Sequence, residues 1–187
     1  MDKKASLRTE LRRKRSAFST EASAMAHFGA PLWEYPVFAT ANCIAAYISV
    51  AGEVPTPDLI AAAHSLGKTI VLPRVVGRNH LELHRWEGEP LLPGSFGIGE
   101  PPADAPRVAP DQVDLFLVPG LAFDLSGGRL GMGRGYYDRM LPQSAGLRVG
   151  LCWEWQLLPE VPMEPHDQRV QMICTERRLL LIPPVLR

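Results

Sequence analysis

The sequence predicts a three-layer α/β fold, Rossmann-like, with a mostly parallel central sheet flanked by helices and residues 1–187 in a single domain. Three observations predict it. Nearly continuous apolar runs at residues 43–50 (CIAAYISV), 69–75 (TIVLPRV), 114–120 (DLFLVPG) and 147–153 (LRVGLCW) have the character of strands buried on both faces. Between the first two lies a helix signal, with Thr56-Pro57-Asp58 as its start and Gly67 as its stop, so strand, helix and strand follow as in a right-handed parallel crossover. After the third run comes a glycine-rich stretch, residues 124–141, at a strand's carboxyl end, where α/β folds keep their ligands.

In chain order, residues 1–28 are helical in composition, with Leu7, Leu11 and Phe18 on an apolar stripe. The first 15 residues hold seven Lys or Arg against two acids, and Lys4, Arg8 and Arg12 share one helix face at i, i+4 spacing. The basic residues that follow, 13–15, are expected in solvent. Gly29 and Pro31 interrupt the helix, and a short second piece carries Trp33 before Pro36. The turn after the first strand, residues 51–55, contains Glu53. Thr56 is expected to cap the next helix through its hydroxyl.

Residues 69–75 and 81–86 predict strands joined by the turn 77–80, with Arg74 near a strand end and His80 and His84 on the surface. Residues 87–110 carry six prolines and four glycines, a composition for an irregular, lid-like segment, with Phe96 inside it. Residues 155–158 predict a turn of helix and 172–175 a last short strand, with His166 and Asp167 just before it.

Composition limits the function classes. Formal net charge is zero with pI near 7, which provides no field for nucleic acid or an anionic membrane surface. Cys43, Cys152 and Cys174 sit apart in apolar runs and predict buried free thiols in a reducing compartment. The basic N-terminus lacks a signal-type apolar region and no stretch has transmembrane length, so a cytoplasmic location is expected. Nothing points to an obligate protein partner.

The chemistry concentrates in residues 123–141, FDLSGGRLGMGRGYYDRML. Glycines at 127, 128, 131, 133 and 135 permit positive φ and leave backbone N–H groups open to an oxyanion. The order strand, glycine loop, helix places that anion near a helix N-terminus. No Gly-Lys-Ser/Thr follows, so this is not a Walker A loop.

The run PGLAFDLSGGRLGMGRGYYDR resembles the signature of the 5-formyltetrahydrofolate cyclo-ligase (5,10-methenyltetrahydrofolate synthetase) family, which carries PG-x-x-F-D, a variable turn and R-L-G-x-G-x-G-Y-Y-D. Lys4-Ala5-Ser6-Leu7-Arg8 is similar to the family's opening K-x-x-L-R, and Ser49, Glu53 and Thr56 retain S-x-x-x-E-x-x-T. The resemblance implies ATP as co-substrate, Mg2+, and 5-formyltetrahydrofolate as the molecule cyclised.

It further implies an ATP site built from Lys4, Arg8, Arg129, Leu130, Gly131, Met132, Gly133, Arg134, Gly135, Tyr136, Tyr137 and Arg148. Arg8, Glu53 and Phe96 are implied on the folate side, Asp138 as the Mg2+ ligand, and Lys4, Arg129 and Tyr137 in the catalytic step. Met132 stands where the family commonly has Tyr or Arg, Arg134 where it has Gly or Lys, and Gln171 where a second acid follows Asp167. Two other readings stay open: a non-catalytic folate- or nucleotide-binding protein, and an enzyme of like architecture that works without ATP.

Overall fold

The computed structural model describes residues 3–18, 32, 35–78 and 80–183. The remainder of the predicted first helix, the short piece around Trp33 and part of the 77–80 turn lie outside the described residues. In chain order the elements begin with α1 (Lys3–Ala17), α2 (Pro36–Thr40), β1 (Cys43–Ala45), α3 (Pro57–Ser65), β2 (Thr69–Val76), β3 (His80–Trp86), β4 (Leu92–Pro93), β5 (Gly99–Glu100) and β6 (Arg107–Val108). They continue with β7 (Leu115–Val118), β8 (Ala122–Asp124), β9 (Arg129–Leu130), α4 (Tyr136–Met140), β10 (Leu147–Leu151), β11 (Leu157–Leu158), β12 (Met172–Cys174) and β13 (Leu179–Leu181).

Eight strands form the main sheet in the order β13-β12-β10-β7-β1-β2-β3-β6. The inner pairs, β12 to β10, β10 to β7, β7 to β1 and β1 to β2, are parallel, and β13, β3 and β6 add antiparallel edges. The expected α/β fold and the parallel crossover through α3 are therefore present. Alternation along β7 supplies two cores: Leu115 and Leu117 pack with Ile44, Leu72 and Trp153, whereas Phe116 and Val118 pack with Val71, Phe123 and Met140. A third cluster joins Leu11 of α1 to Leu121, Leu130 and Val161, with Leu7 partly buried against it. Burying a leucine of this kind is worth about 2 kcal/mol. It fastens α1 beside the β8–β9 hairpin.

Three local expectations need correction. The Thr56 hydroxyl does not cap α3; it donates to the Tyr47 carbonyl at 2.5 Å and accepts from the Ser49 amide at 3.3 Å, stitching the turn that holds Glu53. His84 is not on the surface but fully buried, its Nδ1 2.8 Å from the Ala105 carbonyl. The reason is the 87–110 segment, which returns along the sheet edge: β6 pairs with β3, and Arg74 donates to the Pro101 carbonyl at 2.7 Å and pairs with Glu100. The 43–50 run is a ladder strand only over β1, because beyond it the chain leaves the sheet for the Glu53 turn.

All three cysteines are free and buried. Burial pushes the Cys43 thiol up to about 11 and Cys174 to about 12, so neither is a thiolate at neutral pH. No helix among the described residues is long and apolar enough to cross a membrane.

Candidate active site

The carboxyl ends of β1, β7 and β10 carry the Glu53 turn, the segment 119–135 and the Trp153–Trp155 corner, and α1 lies across them. The segment is not one continuous loop. Its first half is the β8–β9 hairpin, closed by Asp124, whose Oδ1 accepts from the Ser126 amide at 2.8 Å, the Ser126 hydroxyl at 2.6 Å and the Gly128 amide at 2.9 Å, and whose Oδ2 accepts from the Val161 amide at 2.7 Å. Desolvation works against this carboxylate, but those bonds outweigh it and hold its pKa below the usual range. Gly127 and Gly128 serve this turn: a Cβ would meet the Val170 carbonyl at 2.4 Å or the Asp124 carboxylate at 2.5 Å. The expectation that they face a ligand is thereby replaced.

The second half, residues 131–135, is bracketed by cations. Arg8 Nε donates to the Gly131 carbonyl at 3.1 Å, and Arg12 Nη2 to the Met132 carbonyl at 2.8 Å. A Cβ on Gly131 would stand 3.0 Å from Arg129 Nη1, and one on Gly133 3.4 Å from Arg8 Nε. Glycine there lets two guanidinium groups close on the main chain. Arg134 lies with its guanidinium 5.3 Å from the ring centroid of Phe96, which is 63% exposed at the tip of the β4–β5 hairpin and holds φ 61°. Phe96 therefore stands over the loop and does not anchor the segment to the core. A positive φ on a phenylalanine costs about 1 kcal/mol or more, strain of the kind found at functional positions.

Beneath the loop, Arg129 is 5% exposed and donates through Nη2 to Asp138 Oδ1 at 2.8 Å, with Nη1 on the Pro119 carbonyl at 3.3 Å; its Nε has no partner among the described residues. Asp138 Oδ1 also accepts the Gln168 amide at 3.1 Å. Tyr137 lies with its ring 5.5 Å from the Arg129 guanidinium, and burial pushes its phenol far above the ordinary value despite that cation, with Glu53 adding to the rise. Such a phenol donates a hydrogen bond and does not act as a base. Tyr136 turns the other way, its hydroxyl 3.4 Å from the Arg78 carbonyl and its ring under Arg139.

Lys4 reaches the neighbouring loop: Nζ is 2.5 Å from Asp167 Oδ2 and 3.2 Å from Glu164 Oε2. Desolvation opposes the ammonium, yet these two carboxylates more than compensate and raise its pKa. In Asp167 burial is likewise outweighed, chiefly by Lys4, and the carboxyl is held low. Glu164, His166 and Asp167 bring ligand atoms within 4.8 Å of one another, but the Lys4 ammonium already occupies two of them, so the cluster is an ammonium cradle. Arg148 lies deeper, spending its guanidinium on the Leu141 carbonyl at 2.8 Å and Gln168 Oε1 at 3.1 Å; burial lowers its pKa.

Glu53 completes the group. Its Oε2 accepts the Val50 amide at 3.1 Å and its Oε1 meets Arg15 Nη1 at 3.0 Å. Arg15, expected in solvent, is buried. Sequence reading missed it because it ends a basic run, although the spacing Lys4, Arg8, Leu11, Arg15 follows one helix face. The structure thus brings together Lys4, Arg8, Arg129, the 131–135 loop, Tyr137, Asp138 and Phe96, with Glu53 joined to them through α1. Tyr136 and Arg148 stand apart from that surface. Two surface depressions, around Phe38 and Leu66 and around His64 and Trp86, lie at the amino ends of β1 and β2, away from this chemistry.

Comparison with known proteins places this arrangement. A family model described as the 5-formyltetrahydrofolate cyclo-ligase family matches residues 1–176. A probable 5-formyltetrahydrofolate cyclo-ligase of Schizosaccharomyces pombe is 34% identical over 145 residues, 68% of this chain and 71% of that protein. A 5-formyltetrahydrofolate cyclo-ligase of Mycolicibacterium smegmatis is 34% identical over 145 residues, 72% of this chain and 74% of the relative. The NMR structure of Aquifex aeolicus 5,10-methenyltetrahydrofolate synthetase superimposes with a TM-score of 0.87 at 34% identity, covering 98% of this chain and 95% of the other. With the sheet order, the glycine loop and its arginines in place, these likenesses show that the chain belongs to the 5-formyltetrahydrofolate cyclo-ligase family.

Proposed function

We propose that the protein converts 5-formyltetrahydrofolate to 5,10-methenyltetrahydrofolate with ATP and Mg2+, releasing ADP and phosphate, through phosphorylation of the formyl oxygen. Oxide is a poor leaving group from an amide, so ring closure needs that oxygen activated. The γ-phosphoryl group passes to the formyl oxygen and ADP leaves; N10 then attacks the formyl carbon, loses its proton, and expels phosphate to leave the methenyl bridge. Such a transfer asks a protein for positioning and charge neutralisation.

The observation that carries the reading is the convergence of Arg8 and Arg129 on the main chain of Gly131 and Gly133, with Arg134 at the rim. Fixed guanidinium groups around open backbone amides suit a triphosphate. The helix that follows is a single turn, so its dipole adds little and the arginines dominate. In this reading Gly131 to Gly135 and Tyr137 form the nucleotide wall, with Leu130 holding it to the core and Tyr136 facing away. Lys4 moves from its carboxylate cradle to phosphate, and Arg129, Lys4 and the Tyr137 hydroxyl stabilise charge on the transferring group. Arg8, Glu53 and Phe96 take the folate side, and Arg148 braces Leu141 and Gln168 behind the site.

The donor set fits one Mg2+. Asp138 offers a single hard oxygen, Oδ2, because Oδ1 is engaged by Arg129 and the Gln168 amide, and Mg2+ commonly pairs one carboxylate with phosphate oxygens and water. Bound there, the ion neutralises phosphate charge. Residues 1–187 act in this proposal as one domain without an obligate protein partner, and the buried thiols favour the cytoplasm.

The step that defines the mechanism is tested with substrate carrying a heavy-oxygen label in the formyl group. Label recovered in inorganic phosphate supports oxygen phosphorylation; label retained elsewhere rules it out.

A further inference from the structure

We infer that Arg15 is a positioning residue that keeps Glu53 ionised and aimed at the folate, making α1 the part that joins the phosphate-binding side of the site to the substrate side. The inference rests on the proposed cyclisation for its substrate.

The geometry is specific. The two side chains come from segments 38 residues apart, meet at 3.0 Å, and are 10% and 13% exposed. Glu53 has its second oxygen on the Val50 amide, and its own amide donates to the Val50 carbonyl at 2.9 Å, so the turn that holds it is closed. Gly52 shows how closely α1 fits: a Cβ there would lie 2.7 Å from Arg15 Cγ and 2.9 Å from the Arg15 carbonyl. On the other side Trp153 Nε1 donates to the Gly52 carbonyl at 3.3 Å, and Phe18, one turn after Arg15, packs on the Trp153 and Trp155 rings.

The groups that face Glu53 are Arg15 from α1, Tyr47 beyond β1 and Tyr137 from α4. Burial raises the Glu53 pKa, with the Val50 amide and Arg15 opposing the rise. Among the described residues Arg15 is the cation that pairs with it. Each carboxylate oxygen has a further lone pair, so an N–H donor of a substrate has an acceptor as long as the group stays ionised. Without Arg15 the same buried carboxyl takes up a proton from solvent and loses an acceptor position. Lys4, Arg8 and Arg15 lie along one face of α1, so the helix that holds phosphate also sets the substrate glutamate.

The test uses wild type, Arg15→Gln, Arg15→Lys and Arg15→Gln/Glu53→Gln, each assayed for turnover of 5-formyltetrahydrofolate with Mg-ATP across pH and for thermal unfolding across pH. The expected result for Arg15→Gln is an acid limb of kcat/KM moved upward by about one pH unit, with a KM for folate raised about tenfold, since one pKa unit is tenfold in an equilibrium. KM for ATP is expected within about twofold of wild type, a change below 0.5 kcal/mol. Arg15→Lys should return the acid limb towards wild type because it retains the charge. An unmoved limb, or both KM values rising together in step with lost thermal stability, overturns the inference.

Wild type that does not turn over 5-formyltetrahydrofolate contradicts the proposed reaction instead. The unfolding series then still decides the Arg15 question. A further raised Glu53 makes Arg15→Gln lose stability as pH rises over a window extending above that of wild type, and Glu53→Gln in the same chain removes the effect. Identical pH slopes overturn it.

Discussion

Asp138 pairs with Arg129 and, in the proposed mechanism, also holds Mg2+; the two roles separate by substitution. Asp138→Ala leaves Arg129 buried without its counter-charge and orphans the Gln168 amide, a loss on the order of 3 kcal/mol for a broken buried pair. Asp138→Asn keeps an oxygen for both donors and removes the charge that suits Mg2+. We therefore expect Asn to fold with a melting temperature near wild type yet lose turnover, and Ala to lose both; an Asn variant with wild-type Mg2+ dependence would exclude Asp138 as the metal ligand. For Arg8, which touches the loop from the solvent side, Arg8→Ala should raise KM for ATP by roughly tenfold, the effect of losing one charge-assisted contact, with little change in stability. Arg129, Tyr137 and Asp138 were readable in sequence because they sit in one contiguous motif. The Arg15–Glu53 pair and buried His84 were not, since each depends on a chain segment far away in sequence covering a side chain that local composition marks as exposed.

Among the elements, the glycine stretch divides into a structural hairpin and an arginine-bracketed loop, the part proposed to bind ATP, and substitutions should respect the division. Gly127 has φ 80° and a Cβ there would strike the Val170 carbonyl at 2.4 Å, so Gly127→Ala should cost about 2 kcal/mol or more in denaturant unfolding while KM for ATP stays unchanged in the folded fraction. A rise in KM without loss of stability would return that glycine to the binding surface. Helix α1 is held by Leu11 and by the Lys4–Asp167 pair. Because the Asp167 pKa is lowered, its contribution is present above the ordinary Asp range and lost as pH falls through the lowered value; because the Lys4 pKa is raised, its contribution is lost as pH rises through that raised value. Tryptophan fluorescence reports this, as Lys14 and Phe18 of the α1 region cover Trp155. Asp167→Asn should abolish the acid transition, and persistence of the transition would assign it elsewhere. The parallel strands and α3 were readable from apolar runs and Pro/Gly punctuation. The two-residue strands β4, β5, β6, β9 and β11 and the three-residue β8 were not: such short pieces carry no periodicity, and tertiary contact alone creates them.

At the scale of the molecule, five parallel strands form a rigid base whose carboxyl ends present Glu53 and the glycine loop, while the cations that close over them come from a helix at the other end of the sequence. Zero net charge is consistent with this division, since the cationic surface is local. In the proposed reaction this surface couples ATP to folate cyclisation. The most direct measurement is the near-ultraviolet absorbance of the methenyl bridge after mixing the protein with 5-formyltetrahydrofolate, with and without ATP and Mg2+, alongside ADP release. The account predicts absorbance growth that needs both ATP and Mg2+ and matches ADP one for one; growth without ATP, or ADP release with no methenyl product, would contradict it.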